Sequence, residues 1–138
     1  MEPTWHPVQL REVFVKSLSL RRTEIFEATE GPLSVAINTS TQVVSDVEAR
    51  STVDVTVAFP QSDEPEVEIS ASGVGVFVCP PGYAHIREFV ESQGGYFVYT
   101  FLRVVISNAT VQAGIPPIVL PLVQIPAPQS QNPEEPNM

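Results

Sequence analysis

The chain has 138 residues, a net charge of -9, 43% apolar residues and 17% charged residues. That is the size of one domain with enough apolar content for a core, but it is short of the roughly one-quarter charged residues usual in soluble domains. The deficit predicts apolar surface covered by subunit contacts or used as a binding groove.

The charge is uneven: residues 61–138 hold eight acids against only Arg87 and Arg103. An acidic surface repels phosphate backbones and no basic patch is present, so nucleic-acid binding is not expected. Cys79 is the single cysteine, which rules out an intrachain disulfide and a thiolate metal cluster. The opening Met1-Glu2-Pro3-Thr4-Trp5 lacks a basic and then apolar leader pattern. No apolar run approaches the ~20 residues that cross a bilayer. A cytoplasmic protein without membrane insertion is the expectation.

After an N-terminal arm over residues 1–9, alternation from Leu10 to Leu20 predicts a first strand. Its phase slips at Lys16-Ser17, as a β-bulge would require. Residues 21–32 end in Gly31-Pro32 and read as a loop. A second strand holds Val35 and Ile37 and is expected to end in the polar run Asn38-Thr39-Ser40-Thr41. The third is the clearest: Val47, Ala49, Ser51, Val53, Val55, Val57 and Phe59 all fall on odd positions. Such alternation marks an antiparallel strand with one wet face.

After the Pro60–Pro65 turn, a fourth strand starts with Val67, Ile69 and Ala71 and slips phase at Ser72-Gly73, which reads as another bulge. Residues 83–91 predict a short helix broken by Gly94-Gly95. From Tyr96 to Ala113 the period is helical, with a polar stripe of Tyr96, Tyr99, Arg103, Ser107 and Thr110 on an otherwise apolar cylinder. Gly114 and Pro116-Pro117 stop it. A helix of that composition needs a second buried face, and Val98, Leu102, Val105 and Ala109 are the candidates for subunit contact. Ile115–Ile125 is too rich in proline for a helix and too apolar for solvent, so an extended docked segment is expected. Residues 126–138 read as a disordered tail.

The fold class that results is α+β: a four-stranded antiparallel sheet in meander order, a crossover with a short helix, and one long C-terminal helix. At this point the residues resemble a known family. YTFLRVVISNATVQAGIPPIVLPLVQI (residues 99–125) is similar to the end of the SecB family, with Tyr99 and Phe101 as its aromatics and Arg103 as its arginine. Ile115-Pro116 stand as its hydrophobic-Pro pair, and Ile118, Leu120 and Val123 form its closing segment. VFVKSLSL (residues 13–20) resembles the opening strand. Thr100 and Val104 depart from the family pattern, which has proline and an acid there. The resemblance implies a SecB-like domain over residues 10–125, forming a homotetramer as a dimer of dimers. It implies a molecular chaperone, not an enzyme, that holds unfolded preproteins for export and translocation without metal or cofactor. The alternative within the fold is an adaptor or dedicated chaperone for a single partner, such as an antitoxin or a phage component.

Seven of the 11 aromatic residues lie between Phe77 and Phe101. Phe77, Tyr83, Phe89, Tyr96, Phe97, Tyr99 and Phe101 therefore form the candidate client groove, because aromatic rings give large contact without demanding a sequence. Tyr83 and Phe89, in the crossover, are the strongest of these. Asp63, Glu64, Glu66 and Glu68 form the densest acidic cluster; the resemblance implies docking of the SecA ATPase there, while a solvated turn explains the same charges. His85, Arg87, Glu88 and Glu91, with Cys79 nearby, are the one enzyme-like grouping, and nothing in their spacing supplies an oriented nucleophile or a metal set.

Overall fold

A computed structural model describes residues 4–26 and 32–122. The expected tail over residues 126–138 lies outside them. Strands β1 (Gln9–Arg22), β2 (Ser34–Ser45), β3 (Glu48–Phe59) and β4 (Val67–Val78) form one antiparallel sheet in the order β1-β4-β3-β2. The expected sheet is present, but its order is not a plain meander: β1 pairs with β4, so the connection to β2 passes across two strands. The cross-strand partners fit the exchange, since Arg21 stands opposite Glu68 and pairs with it.

β3 shows the alternation read from its sequence, with Ala49, Ser51, Val53, Val55 and Val57 buried on one face. In β1 the pairing with β4 shifts between Val15 and Ser17, at the bulge anticipated from the sequence, and again between Leu10 and Glu12. The extra residues return Leu10, Val13, Val15, Leu18 and Leu20 to one side of the sheet. Both β1 and β2 run further than expected. β1 reaches Arg22, and β2 continues through its Ser/Thr run to Ser45. An edge strand tolerates those hydroxyls because its side chains are only half-buried.

The reading of Ser72-Gly73 as a bulge is corrected by the register. β3 and β4 pair without interruption from Glu48↔Val78 to Phe59↔Val67. Gly73 and Gly75 stay on the same face as Ile69 and Ala71, directly under the helix. A Cβ at Gly73 would lie 3.0 Å from Leu102 Cδ2, and one at Gly75 2.8 Å from Val98 Cγ2. These positions lack side chains so that the helix can approach the sheet. Val74 and Val76 point to the other face, where Arg50 stands opposite Val76.

A second correction concerns Gly94-Gly95. The chain stays helical from α1 (Ile86–Phe89) through a π-turn (Val90–Gly94) into α2 (Gly95–Gln112). Gly94 has φ -58° and ψ -42°. A Cβ there would lie 2.9 Å from Val90 Cγ1 and 3.1 Å from Ser51 Cβ. It permits close packing on β3 and does not end a helix. The 18 residues of α2 extend about 27 Å.

The main core joins the inner faces of β3 and β4 to Val98, Tyr99, Leu102 and Ile106, and is closed by Ile115 and Leu120. A smaller cluster of Val8, Ala49, Phe77, Cys79, Ile86 and Val90 lies under the crossover. The stop of α2 matches its sequence signal. Gly114 takes φ +76°, Gly114 N–H donates to Val111 O (3.0 Å), and Ile115 N–H donates to Thr110 O (3.2 Å). This is the Schellman arrangement that satisfies the last carbonyls.

Candidate functional site

Of the polar stripe of α2, Tyr96 is exposed, Tyr99 and Thr110 are buried, and Arg103 and Ser107 are half-buried. Ile115–Leu122 lies over it as an extended strap, as its composition predicted, with Ile115 and Leu120 buried. Tyr99 Oη–H donates to Pro121 O (2.7 Å) and Arg103 Nε–H to Leu120 O (3.0 Å). Ile118 N–H donates to Thr110 Oγ1 (3.1 Å). Burial pushes the Tyr99 phenol above its ordinary pKa of 10.0, and the nearby Arg103 charge partly opposes that rise. Val123–Ile125, the rest of the expected segment, lie outside the described residues.

The seven aromatic candidates separate into two groups. Phe77 and Tyr99 are each 1% exposed and are core residues, with no surface left for a client. Around Phe77 gather Phe89 (ring centroids 6.2 Å apart) and Phe97 (6.3 Å), while Tyr96 stands at 6.1 Å from Phe97. The N-terminal arm joins this group, since His6 stacks on Phe89 at 4.6 Å. Tyr83 sits apart, against His85, in a cleft of about 460 Å³ whose walls mix Val43 and Ile86 with the charged Asp46, Arg87 and Glu88. Phe101 is half-buried against the main core. Only Tyr83, Phe89, Tyr96, Phe97 and Phe101 therefore keep accessible ring surface.

A second cleft, of about 400 Å³, was not read from the sequence. Phe26, Leu33, Phe59 and the strap residues Pro116–Val119 line it. The available signal was Phe26 in the loop before Gly31-Pro32, together with Phe59 at the end of the most regular strand. The two clefts lie at opposite ends of β2: Leu33 precedes that strand, and Val43 and Ser45 end it. Nine residues of strand, 34–42, separate them by about 30 Å. β2 is an edge strand with no charged residue and no proline in SVAINTSTQVVS and one register shift, between Val43 and Ser45, whereas β1, the other edge, carries charges and two such shifts. Charge, bulges and proline are what normally block pairing at an edge, and β2 lacks the charge and the proline.

Of the four helix positions expected to meet another subunit, Val98 and Leu102 are fully buried against Gly73 and Gly75, so they are occupied within the chain. Val105 and Ala109 are half-buried. The outward stripe is instead Phe97, Phe101, Val104, Asn108 and Val111, spaced 4, 3, 4 and 3 apart. Phe97 is 42%, Val104 59% and Val111 54% exposed. The periodicity located an apolar second face correctly in kind, but an apolar cylinder does not show which of its sides meets the sheet.

Asp63, Glu64, Glu66 and Glu68 do come together, around a depression of about 290 Å³ that also includes Arg21 and Arg22. The enzyme-like grouping does not assemble. Arg87 pairs with Glu91 (3.1 Å), His85 rests on Tyr83, and Cys79 Sγ–H points at Asp46 O (3.5 Å). Among the described residues there is no group of three or more His, Cys, Asp or Glu able to hold a metal, and no helix long and apolar enough to cross a membrane.

The structure thus defines an α+β subunit with one sheet face under a helix, an apolar cleft at one end of an edge strand and a mixed cleft at the other, and a mostly apolar outer stripe. The chain belongs to the SecB family: the family model for preprotein translocase subunit SecB matches residues 2–132. It is a family of chaperones. The SecB-like chaperone Rv1957 of Mycobacterium tuberculosis, solved in complex with a ChAD peptide from the Rv1956 HigA1 antitoxin, shares the fold. The TM-score is 0.71 over 87% of this chain and 93% of that one, at 11% sequence identity. No curated protein matches the chain at a significant level.

Proposed function

We propose that this protein is a holdase that binds unfolded polypeptides along the β2 side of its sheet, with side chains seated in the two end clefts. The carrying observation is a pair of clefts, an apolar one beside Phe26 and Phe59 and a mixed one in which Tyr83 and Ile86 stand among Asp46, Arg87 and Glu88, joined by an uncharged, proline-free edge strand. An extended client gains backbone hydrogen bonds along such an edge, and its apolar residues are taken up by the clefts at either end. Neither contribution demands a sequence, as a chaperone for many clients requires. Tyr83 and Ile86 at one end, and Phe26, Leu33 and Phe59 at the other, are the residues assigned to client contact.

The outward stripe of α2 is assigned to subunit contact, and a dimer of dimers is the assembly proposed. Several such clefts in one particle would hold different parts of one client, so that avidity compensates for weak single contacts. Delivery for export belongs to the same proposal. The corner of Asp63, Glu64, Glu66 and Glu68 keeps more acid than Arg21 and Arg22 neutralise, and this supports docking of a basic surface such as that of a SecA-type motor. A dedicated role toward one partner is the second reading, favoured by the antitoxin peptide bound to the structurally similar Rv1957.

The test is a pair of substitutions, Tyr83→Ser and Phe26→Ser, assayed for binding of several unrelated unfolded proteins. Weakened binding of all of them by both changes, at constant particle mass, is the expected result. Unchanged binding by both variants contradicts the cleft assignment. Binding of one partner only points to the dedicated reading.

A further inference from the structure

We propose that the N-terminal arm is a tethered competitor for clients: its His6 ring occupies the face of Phe89, and an aromatic or other apolar side chain of an unfolded polypeptide binds there by displacing it. The inference rests on the holdase reading, in which Tyr83 and Ile86 contact clients, and adds a neighbouring subsite together with its resting occupant.

The arm leads directly into β1. Its last residue, Val8, is 5% exposed and anchors it in the cluster under the crossover, with Phe77, Ile86 and Val90. Phe89 and Tyr83 pack against that same cluster, so the face of Phe89 adjoins the residues already assigned to clients. On this face lies His6, with the ring centroids 4.6 Å apart and the planes inclined by 37°. Phe77 stands behind Phe89, in an edge-on contact at 6.2 Å. A ring laid on Phe89 therefore meets an aromatic surface that is itself braced from within, and aromatic contact of this kind is satisfied by many side chains.

The attachment of the arm is suited to exchange. Val8 N–H donates to His6 Nδ1 (2.9 Å), and Gln9 Nε2–H donates to His6 O (2.7 Å). Both bonds stay within the arm and its root, and they bend the chain so that the ring meets Phe89. Among the described residues, no hydrogen bond or ion pair joins residues 4–7 to the crossover. Thr4, Trp5, His6 and Pro7 are exposed, and Pro7 has no N–H to satisfy. Lifting these four residues uncovers Phe89 without leaving a polar group of the crossover unpartnered, while β1 keeps its pairing from Gln9 onward. Apparent affinity for a client at Phe89 is then reduced according to the fraction of molecules in which the arm is closed.

The test uses the full chain and a reduced, alkylated unfolded protein as client. His6→Ala removes the clasp at an exposed position and is expected to tighten client binding about fivefold over wild type. His6→Phe, which restores a ring against Phe89, returns binding to the wild-type level. A His6→Ala protein that binds no more tightly than wild type, when both take up the client, overturns the arm proposal and leaves the holdase reading intact. Failure of both proteins to bind overturns both. Nuclear magnetic resonance of isotopically labelled histidine reads the wild type itself. The chain has two histidines, and the His6 signal is the one missing from His6→Ala. Ring-current displacement by Phe89 is expected in the free protein and is expected to vanish with saturating unlabelled client. A His6 signal that client binding leaves in place refutes the proposal.

Discussion

Replacing Gly75 with alanine tests how the helix sits on the sheet. The new methyl would lie 2.8 Å from Val98 Cγ2 and 3.1 Å from Phe77 Cε2. Val98 is fully buried, and a β-branched residue on a helix has one strongly preferred rotamer, so it cannot turn aside. The helix must lift, or the sheet must flatten. Overpacking of this kind costs about 1–3 kcal/mol. The loss of glycine's freedom in the unfolded chain returns about 0.4–1 kcal/mol. A net destabilisation of about 1–2 kcal/mol is therefore expected. With a urea slope of about 1–3 kcal/mol/M, the midpoint falls by something on the order of 1 M. Protein concentration must be held fixed, because assembly contributes to apparent stability. The decisive variant is Gly75→Ala with Val98→Ala, in which the clash is gone: the pair should cost less than the sum of the single changes by about 1 kcal/mol. Strict additivity, or a Gly75→Ala protein as stable as wild type, would show that Val98 does not rest on Gly75.

Other outcomes follow from the same geometry. Because burial raises the Tyr99 pKa, the folded chain retains its phenolic proton where the unfolded chain loses it. That stability is complete below pH 10 and drains away as pH rises through the higher folded value, so Tyr99→Phe should lose this step from an alkaline unfolding titration. Val104→Asp, on the outward stripe, should reduce particle mass in scattering while leaving the circular dichroism spectrum intact. Leu102→Asp, which places a charge between α2 and Gly73, should abolish the cooperative unfolding transition. Ser40→Lys, which places a charge on the open edge strand, should weaken capture of unfolded chains without changing the thermal midpoint by more than a surface substitution does.

The parts of the fold legible in the sequence were those in which one local signal decides the structure. β3 declares itself because burial on one face enforces alternation, and the end of α2 does so because glycine and paired prolines permit little else. Gly73 was misread because a strand glycine looks the same as a bulge residue and as clearance for a helix. Only the uninterrupted pairing of β3 with β4 tells these apart. Gly94 posed the same ambiguity within a helix. The candidate site was legible in composition more than in position. The aromatics between Phe77 and Phe101 stand out in the sequence as a group, yet Phe77 and Tyr99 are core residues. The second cleft escaped notice because its lining comes from the loop at Phe26, the end of β3 and the strap, which only tertiary packing brings together. The polar stripe of α2 and a docked segment from Ile115 are both legible, but not that the two meet, because the strap meets the stripe through backbone atoms.

Light scattering coupled to size separation tests the central claim most directly, with the protein measured alone and then mixed with a slow-folding client in unfolded and in native form. The account predicts a particle larger than one chain that takes up the unfolded client and ignores the native one. A particle that takes up neither form would contradict the holdase function and leave only the SecB-family fold.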